Sequence, residues 1–255
     1  MRQIYRIILG LLLSLLWTRA AAEEQVAVAA AANLVYALDA LNAEFAKAEP
    51  GVAVTTETGA SGTLVAQISN GAPYDVFLSA DLDFARKLVR LGGADGSSLR
   101  TFAIGRLVLW TTRPGLALTS VDSVVRDPSV QRLAVANPRT APYGAAAVEA
   151  LAKLGLAEVA KPKIVFGENI TQTAQYVSSG NADAGFVALS LVLSPKLKGQ
   201  GRWIEVPPAL YTPLEQGAVL TKRGAGNAAA RRYLEFLASP AARAVLERYG
   251  YLLPR

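Results

Sequence analysis

Residues 52–81 read VAVTTETGASGTLVAQISNGAPYDVFLSAD, and this stretch decides the fold. Val52–Glu57 is rich in β-branched residues and reads as a strand. Gly59-Ala60-Ser61-Gly62 ends it with a turn, Thr63–Ser69 reads as a helix, and Asp75–Leu78 is a short apolar run of the kind that forms a buried strand. The same rhythm continues in both directions. Upstream, Val26–Ala30 is a strand and Leu34–Lys47 a helix, with Leu34, Leu38, Leu41 and Phe45 spaced by three or four residues. Downstream come a helix over Leu82–Leu91 stopped by Gly92-Gly93, strands at Arg106–Thr111 and Leu133–Ala136, and a helix over Ala145–Leu154 with Pro142 near its start. Ile164–Phe166, a helix over Ile170–Ser178 and Ala184–Val187 follow. Strands at Trp203–Val206 and Gly217–Leu220 precede two closing helices, Ala228–Ala238 and Ala241–Tyr249. Strands alternating with helices predict an α/β protein whose mostly parallel sheets are covered on both faces.

The first residues read as an address. Arg2 and Arg6 flank the start of an apolar run from Ile7 to Trp17, and Ala20-Ala21-Ala22 offers a small-residue cleavage site. This is the pattern of a secretory signal peptide over residues 1–22. The run is shorter than the roughly 20 residues that a membrane span takes. Of 255 residues, 233 would remain after cleavage, enough for two lobes at about 150 residues per domain. An exported, soluble protein is expected, free in a periplasm: with no cysteine there is neither a disulfide framework nor a cysteine-linked lipid anchor. The formal charge of +6 includes Arg2, Arg6 and Arg19, so the exported part carries only +3. No basic stripe with interleaved aromatics marks a nucleic-acid surface. Histidine is absent as well, which removes the commonest general base, the usual zinc ligand and any Ser-His or Cys-His pair. Composition thus points away from an enzyme.

Four segments share one feature: a strand end, a small or polar residue, then a helix start. They are Ala32-Asn33, Ser61-Gly62, Pro142-Tyr143-Gly144 and Asn169-Ile170. Ligands of open α/β sheets sit at the carboxyl ends of strands. The first N–H groups of a helix lack internal partners, and the helix start carries roughly half a positive charge. Four such ends converging would hold a dianion without a charged side chain. Each also has an ordinary alternative: Asn33, Ser61 and Asn169 are good helix caps, and Tyr143 alone is a packed aromatic. Only their joint arrangement makes a ligand site. Gly59-Ala60-Ser61-Gly62-Thr63 lacks the last glycine of a nucleophile elbow and the lysine of a phosphate-binding loop. Asp81 and Asp83 suit a helix start better than an acid–base pair. Lys161, Lys163, Lys196 and Lys198 read as solvated loop charge, and no stretch has metal-ligand spacing.

Taken together, the chain resembles the periplasmic molybdate-binding proteins, a branch of the two-lobed type II periplasmic binding proteins of ABC importers. The likeness is carried by Ala29-Ala30-Ala31-Ala32-Asn33-Leu34, by Gly59-Ala60-Ser61-Gly62-Thr63-Leu64 with Gln67-Ile68, and by the run from Gly71 to Asp81. Pro142-Tyr143-Gly144, Glu168-Asn169-Ile170 and Asp183-Ala184-Gly185-Phe186-Val187 follow in the expected order. It spans essentially the whole chain beyond residue 22, and the block 59–81 is its most specific part. The resemblance implies two lobes, residues 23–104 with 209–255 and residues 105–208, joined by crossovers near Ile104 and Pro208. It implies an oxyanion, molybdate or tungstate, sealed between them, with molybdenum or tungsten present only as that oxyanion and no cofactor. It places contacts on Asn33 and Ala32, on Ser61 through hydroxyl and amide, and on the amides of Tyr143 and Ile170. The implied partner is the membrane permease of an ABC importer with its ATPase, and the protein itself would be a monomer. One position departs. Some relatives carry a tyrosine just after the strand ending at Val187, where this chain has Ala188, which leaves Tyr143 as the tyrosine near the expected site. Open beside molybdate and tungstate are other tetrahedral oxyanions such as sulfate or phosphate, a hydrolase built on Ser61, and a signalling protein whose cleft no longer binds.

Overall fold

The computed structural model describes residues 24–254. The expected signal peptide lies outside them. The strands are β1 (Glu24–Ala31), β2 (Val52–Gly59), β3 (Val76–Ser79), β4 (Arg100–Gly105), β5 (Leu107–Thr111), β6 (Leu133–Ala136), β7 (Ile164–Gly167), β8 (Ala184–Ala188), β9 (Arg202–Glu205) and β10 (Leu214–Leu220). The α-helices are α1 (Val35–Ala48), α2 (Ser61–Ser69), α3 (Leu82–Arg90), α4 (Val121–Arg126), α5 (Pro142–Lys153), α6 (Ala157–Ala160), α7 (Ile170–Ser178), α8 (Leu189–Val192), α9 (Ala228–Phe236) and α10 (Pro240–Arg248). No helix among the described residues is long and apolar enough to cross a membrane.

The strands form two five-stranded sheets, β2-β1-β3-β10-β4 and β7-β6-β8-β5-β9, one to a lobe. In the first, β1 pairs parallel with β2 and β3, while β10 runs antiparallel to both β3 and β4. The second repeats the plan, with β6 parallel to β7 and β8, and β5 antiparallel to β8 and β9. The sheets are therefore mixed, each with one reversed strand. The reversed strand is the one by which the chain enters its lobe from the other. A strand arriving from the cleft must run away from it, against neighbours whose carboxyl ends point toward it.

Both faces of the first sheet are covered, as alternation along β1 requires. Val26, Val28 and Ala30 pack with Leu38, Leu41, Phe45, Tyr233 and Leu246 of α1, α9 and α10. Ala29 points the other way, to Leu64, Ile68 and Leu88 of α2 and α3.

The lobes are linked at a braced hinge. Between β4 and β5 only Arg106 intervenes, and its guanidinium pairs with the carboxylate of Glu205 at the end of β9, where the chain starts back. The hydrogen bond from Arg106 holds the Glu205 carboxyl below its ordinary range. The C-terminal segment lies along the same place: Ile104 and Leu252 exchange backbone bonds of 2.7 and 3.0 Å. The structure corrects the sequence reading here. β4 was not expected, because Arg-Thr at its start and Gly at its end break the apolar pattern of a short edge strand. α4 was missed too: its capping box uses Ser123 in place of the usual Glu or Gln. The short α6 and α8 carry no distinct signal. Two lysines read as solvated charge have partners: Lys163 donates to the carbonyls of Val125 and Asp127, and Lys196 lies 5.9 Å from the Tyr36 ring centroid.

Candidate functional site

Residues that follow the carboxyl ends of β1, β2, β6 and β7 line one small cavity, of about 10 Å³, between the lobes. The lobe-one side is Ala32, Asn33, Gly59 to Ser61 and Ala80, and the lobe-two side is Ala141 to Tyr143, Asn169 and Ile170. All four segments singled out in the sequence thus meet at one place, and none of the lining residues is charged. Ala32, Asn33, Ser61, Tyr143 and Ile170 are each at most 4% exposed. Direct bonds seal the lobes around it: Gly62 N–H donates to the Thr140 carbonyl at 2.8 Å, and the Thr171 hydroxyl to the Ala32 carbonyl at 3.0 Å.

The starts of α5 and α7 each leave one N–H group without an internal partner on residues that line this space. Asn169 caps α7 by accepting from the N–H groups of Thr171 and Gln172, both at 3.0 Å, which leaves the Ile170 N–H as the unused first donor. In α5 the N–H groups of Gly144 and Ala145 both return to the Ala141 carbonyl and Pro142 has none, so Tyr143 N–H is the free one. This helix start can sit on the end of β6 only because residue 144 is glycine: a Cβ there would fall 2.0 Å from the Ala136 carbonyl oxygen.

The capping alternative fails for Ser61 and Asn33. Ser61 is the first residue of α2 rather than its cap, and its oxygen accepts the Ala80 N–H at 3.0 Å. With that lone pair engaged, the hydroxyl hydrogen is available to the cavity that Ser61 lines. Asn33 lies inside a 3-10 turn, Ala32–Leu34, that precedes α1. Its Nδ2 donates to Gln216 Oε1 and to the Tyr251 hydroxyl, both at 2.8 Å. Gln216 Nε2 in turn donates to the carbonyls of Ala80 and Leu214, which settles which end of each amide is the donor. Both hydrogens of the Asn33 amide are therefore spent within the protein, and its backbone N–H is what the turn presents. Asp81 caps α3 through the Phe84 N–H, so it serves the helix start and pairs with no second acid.

Tyr143 is fully buried and its ring reaches the hinge. A Cβ on Gly105 would lie 2.1 Å from the Tyr143 hydroxyl, so the close approach of ring to strand requires glycine there. The hydroxyl and Asn33 Oδ1 are buried polar atoms that neighbour each other, close enough for Asn33 to pull the phenol's pKa down against its burial, and neither has any other hydrogen-bond partner in the protein. Burial, and behind it the nearby Tyr251 and Tyr211, hold the Tyr143 phenol well above its ordinary pKa, so it is a neutral donor at any physiological pH.

Sequence reasoning missed Gln216, Tyr251 and Ser190. Tyr251 O–H and Ser190 O–H both reach the Asn33 carbonyl, at 3.0 and 2.8 Å. A signal for Gln216 existed: a polar residue at the head of the apolar run Gly217–Leu220. It is wholly buried, where a bulge between Gln216 and Gly217 re-aims the strand. Tyr251 and Ser190 had none, because the partners of these residues lie 218 and 157 positions away.

A two-lobed α/β protein that closes an uncharged, donor-lined cavity between its lobes is a ligand-capturing protein by construction, with no nucleophile–base pair in the lining. The family profile of the bacterial extracellular solute-binding proteins matches residues 26–252. The chain is 45% identical over 232 residues to the molybdate-binding protein ModA of Azotobacter vinelandii, covering 91% of this chain and 90% of that one. It is 42% identical to ModA of Rhodobacter capsulatus with the same coverage. The solved periplasmic molybdate-binding protein of Azotobacter vinelandii superposes with a TM-score of 0.84 at 38% identity, covering 90% of this chain and all of the other. The chain belongs to the bacterial extracellular solute-binding protein family, in the branch of the molybdate-binding proteins, whose members bind and do not catalyse.

Proposed function

We propose that this protein captures molybdate, or tungstate, in the periplasm and delivers it to the permease of an ABC importer and its ATPase. The observation that carries the reading is the convergence of four helix starts from two lobes on one uncharged cavity. The donors are the backbone N–H groups of Ala32, Asn33, Ser61, Tyr143 and Ile170 and the Ser61 hydroxyl. Their dipoles meet the charge of a dianion without a counter-ion that would hold it too tightly to release. The Tyr143 phenol, buried beside Asn33, adds a neutral donor that an oxyanion oxygen would satisfy. The relatives' names support the same ligand. The lobes run 23–104 with 209–255 and 105–208, a division supported by which strands join which sheet. Residues 1–22 direct export, and the working unit is a monomer.

A cavity framed by fixed amides selects by size. Sulfate has shorter bonds from its central atom to oxygen than molybdate, and each donor it leaves unpaired costs about 1–3 kcal/mol. The test is thermal denaturation of the exported chain with molybdate, tungstate, sulfate and phosphate. At a hundredfold excess over its Kd a ligand adds about 2.7 kcal/mol, or roughly 5–10 °C in Tm for a chain of this size. Molybdate and tungstate should give that shift. If sulfate shifts Tm as much at equal concentration, the reading is wrong.

A further inference from the structure

Two hydroxyls outside the expected ligand set cross from lobe two to the same turn of lobe one. Thr171 Oγ1, in the first turn of α7, donates to the Ala32 carbonyl at 3.0 Å. Ser190 Oγ, in α8, donates to the Asn33 carbonyl at 2.8 Å and lies 3.2 Å from the Tyr251 hydroxyl. Neither hydroxyl caps its own helix: α7 is capped by Asn169 and α8 has no side-chain cap. Ser190 is 5% exposed, and Asn33 1%, so these bonds form in a place that water leaves when the lobes meet.

Ala32 and Asn33 both line the cavity, and a dianion there would repel their carbonyl oxygens. A trans peptide sets its C=O and the next N–H in opposite directions. Holding the Ala32 carbonyl against Thr171 therefore fixes where the Asn33 N–H points, and holding the Asn33 carbonyl does the same for the Leu34 N–H. The Asn33 side chain is tied separately by Gln216 and Tyr251, both from lobe one, so this tether is present whether the lobes are open or closed.

We propose that Thr171 and Ser190 are positioning residues that latch the closed state, taking the carbonyls of the Ala32–Leu34 turn from lobe two so that the turn is held with its Asn33 N–H toward the anion. This rests on the oxyanion reading of the cavity for the identity of the ligand, while the latch itself is a property of the two lobes. The bonds form whenever the lobes close, with or without ligand, and in the loaded protein they slow release. Losing a neutral hydroxyl–carbonyl bond corresponds to about a three- to tenfold change in an equilibrium.

The experiment is stopped-flow binding of molybdate to the exported chain carrying Thr171→Val, Ser190→Ala or both, with small-angle scattering of the same proteins without ligand. Expected are dissociation three- to tenfold faster for each single variant and more for the pair, and a radius of gyration for the ligand-free pair larger than wild type. Thr171→Ser, which keeps the hydroxyl, should restore the wild-type off-rate, which a loss of packing would not do. Unchanged dissociation in both single variants overturns the latch. Should the wild type not take up molybdate, the ligand reading fails instead, and the scattering comparison decides the latch, with equal radii counting against it.

Discussion

Replacing Ser61 by alanine separates two jobs that one hydroxyl performs. Its oxygen accepts the Ala80 N–H at 3.0 Å, and Ala80 is 2% exposed, so the variant strands a buried backbone donor. That costs about 1–3 kcal/mol whether or not a ligand is present. At roughly 2–4 °C per kcal/mol for a chain of this size, the ligand-free Tm should fall by about 2–12 °C. The hydroxyl hydrogen is the other half. Donated to a dianion it makes a charge-assisted bond worth about 1.5–3 kcal/mol, so molybdate affinity should fall by roughly ten- to hundredfold. Calorimetric titration gives the affinity and scanning calorimetry of the ligand-free protein gives the stability, on the same sample. Both should drop. A lowered Tm with wild-type affinity would refute the reasoning, leaving Ser61 as a brace between α2 and the end of β3 and nothing more.

Tyr143→Phe removes a hydroxyl whose neighbour in the protein is Asn33, so ligand-free stability should change little while molybdate affinity falls about tenfold or more; titration within twofold of wild type would leave only the Tyr143 amide as a donor. Gly105→Ala puts a methyl 2.1 Å from that hydroxyl and 2.9 Å from Gln216 Nε2, which should force the ring off the hinge, cost about 1–3 kcal/mol and weaken binding; wild-type Tm and affinity would show that the hinge gives way freely. Alkali should unfold the protein. Burial raises Tyr143, Tyr211, Tyr233 and Tyr251 above the ordinary 10.0, so the stability they lend is complete below about pH 10 and is lost as pH rises toward their folded values. Tyrosinate absorbance of these residues should therefore appear together with loss of ellipticity, and its appearance in an intact fold would contradict the burial argument.

Much of the fold was legible because β1, β3 and β6 to β8 are apolar runs, and β2 is rich in β-branched residues, separated by helices with their own punctuation. Leu133–Ala136 and Ile170–Ser178 fall where periodicity puts them, and the other main elements agree within a few residues. What escaped were the pieces whose pattern is weak in isolation: the edge strand Arg100–Gly105 with its polar start, and the four-residue helices that depend on packing for their existence. The reversal of β5 and β10 was also invisible, since strand direction follows from the path between lobes and leaves no mark on local composition.

The sequence by itself determined the four helix starts, because small and polar residues after a strand, a proline in a first turn and an asparagine cap are local chemistry within a few residues of chain. It also determined that whatever gathers there meets no charge and no histidine, because neither stands at those positions. Only the tertiary structure decided what each side chain does on arrival. Asn33 was free to cap, to bind or to brace, and it braces because Gln216 and Tyr251 are brought to it from 183 and 218 residues away. Ser61 was free to cap, and it does not, because the end of β3 supplies an N–H that its oxygen accepts. A polar group's role is set by the nearest partner that can satisfy it, and in this chain those partners come from the far side of the sheet, from the hinge and from the other lobe.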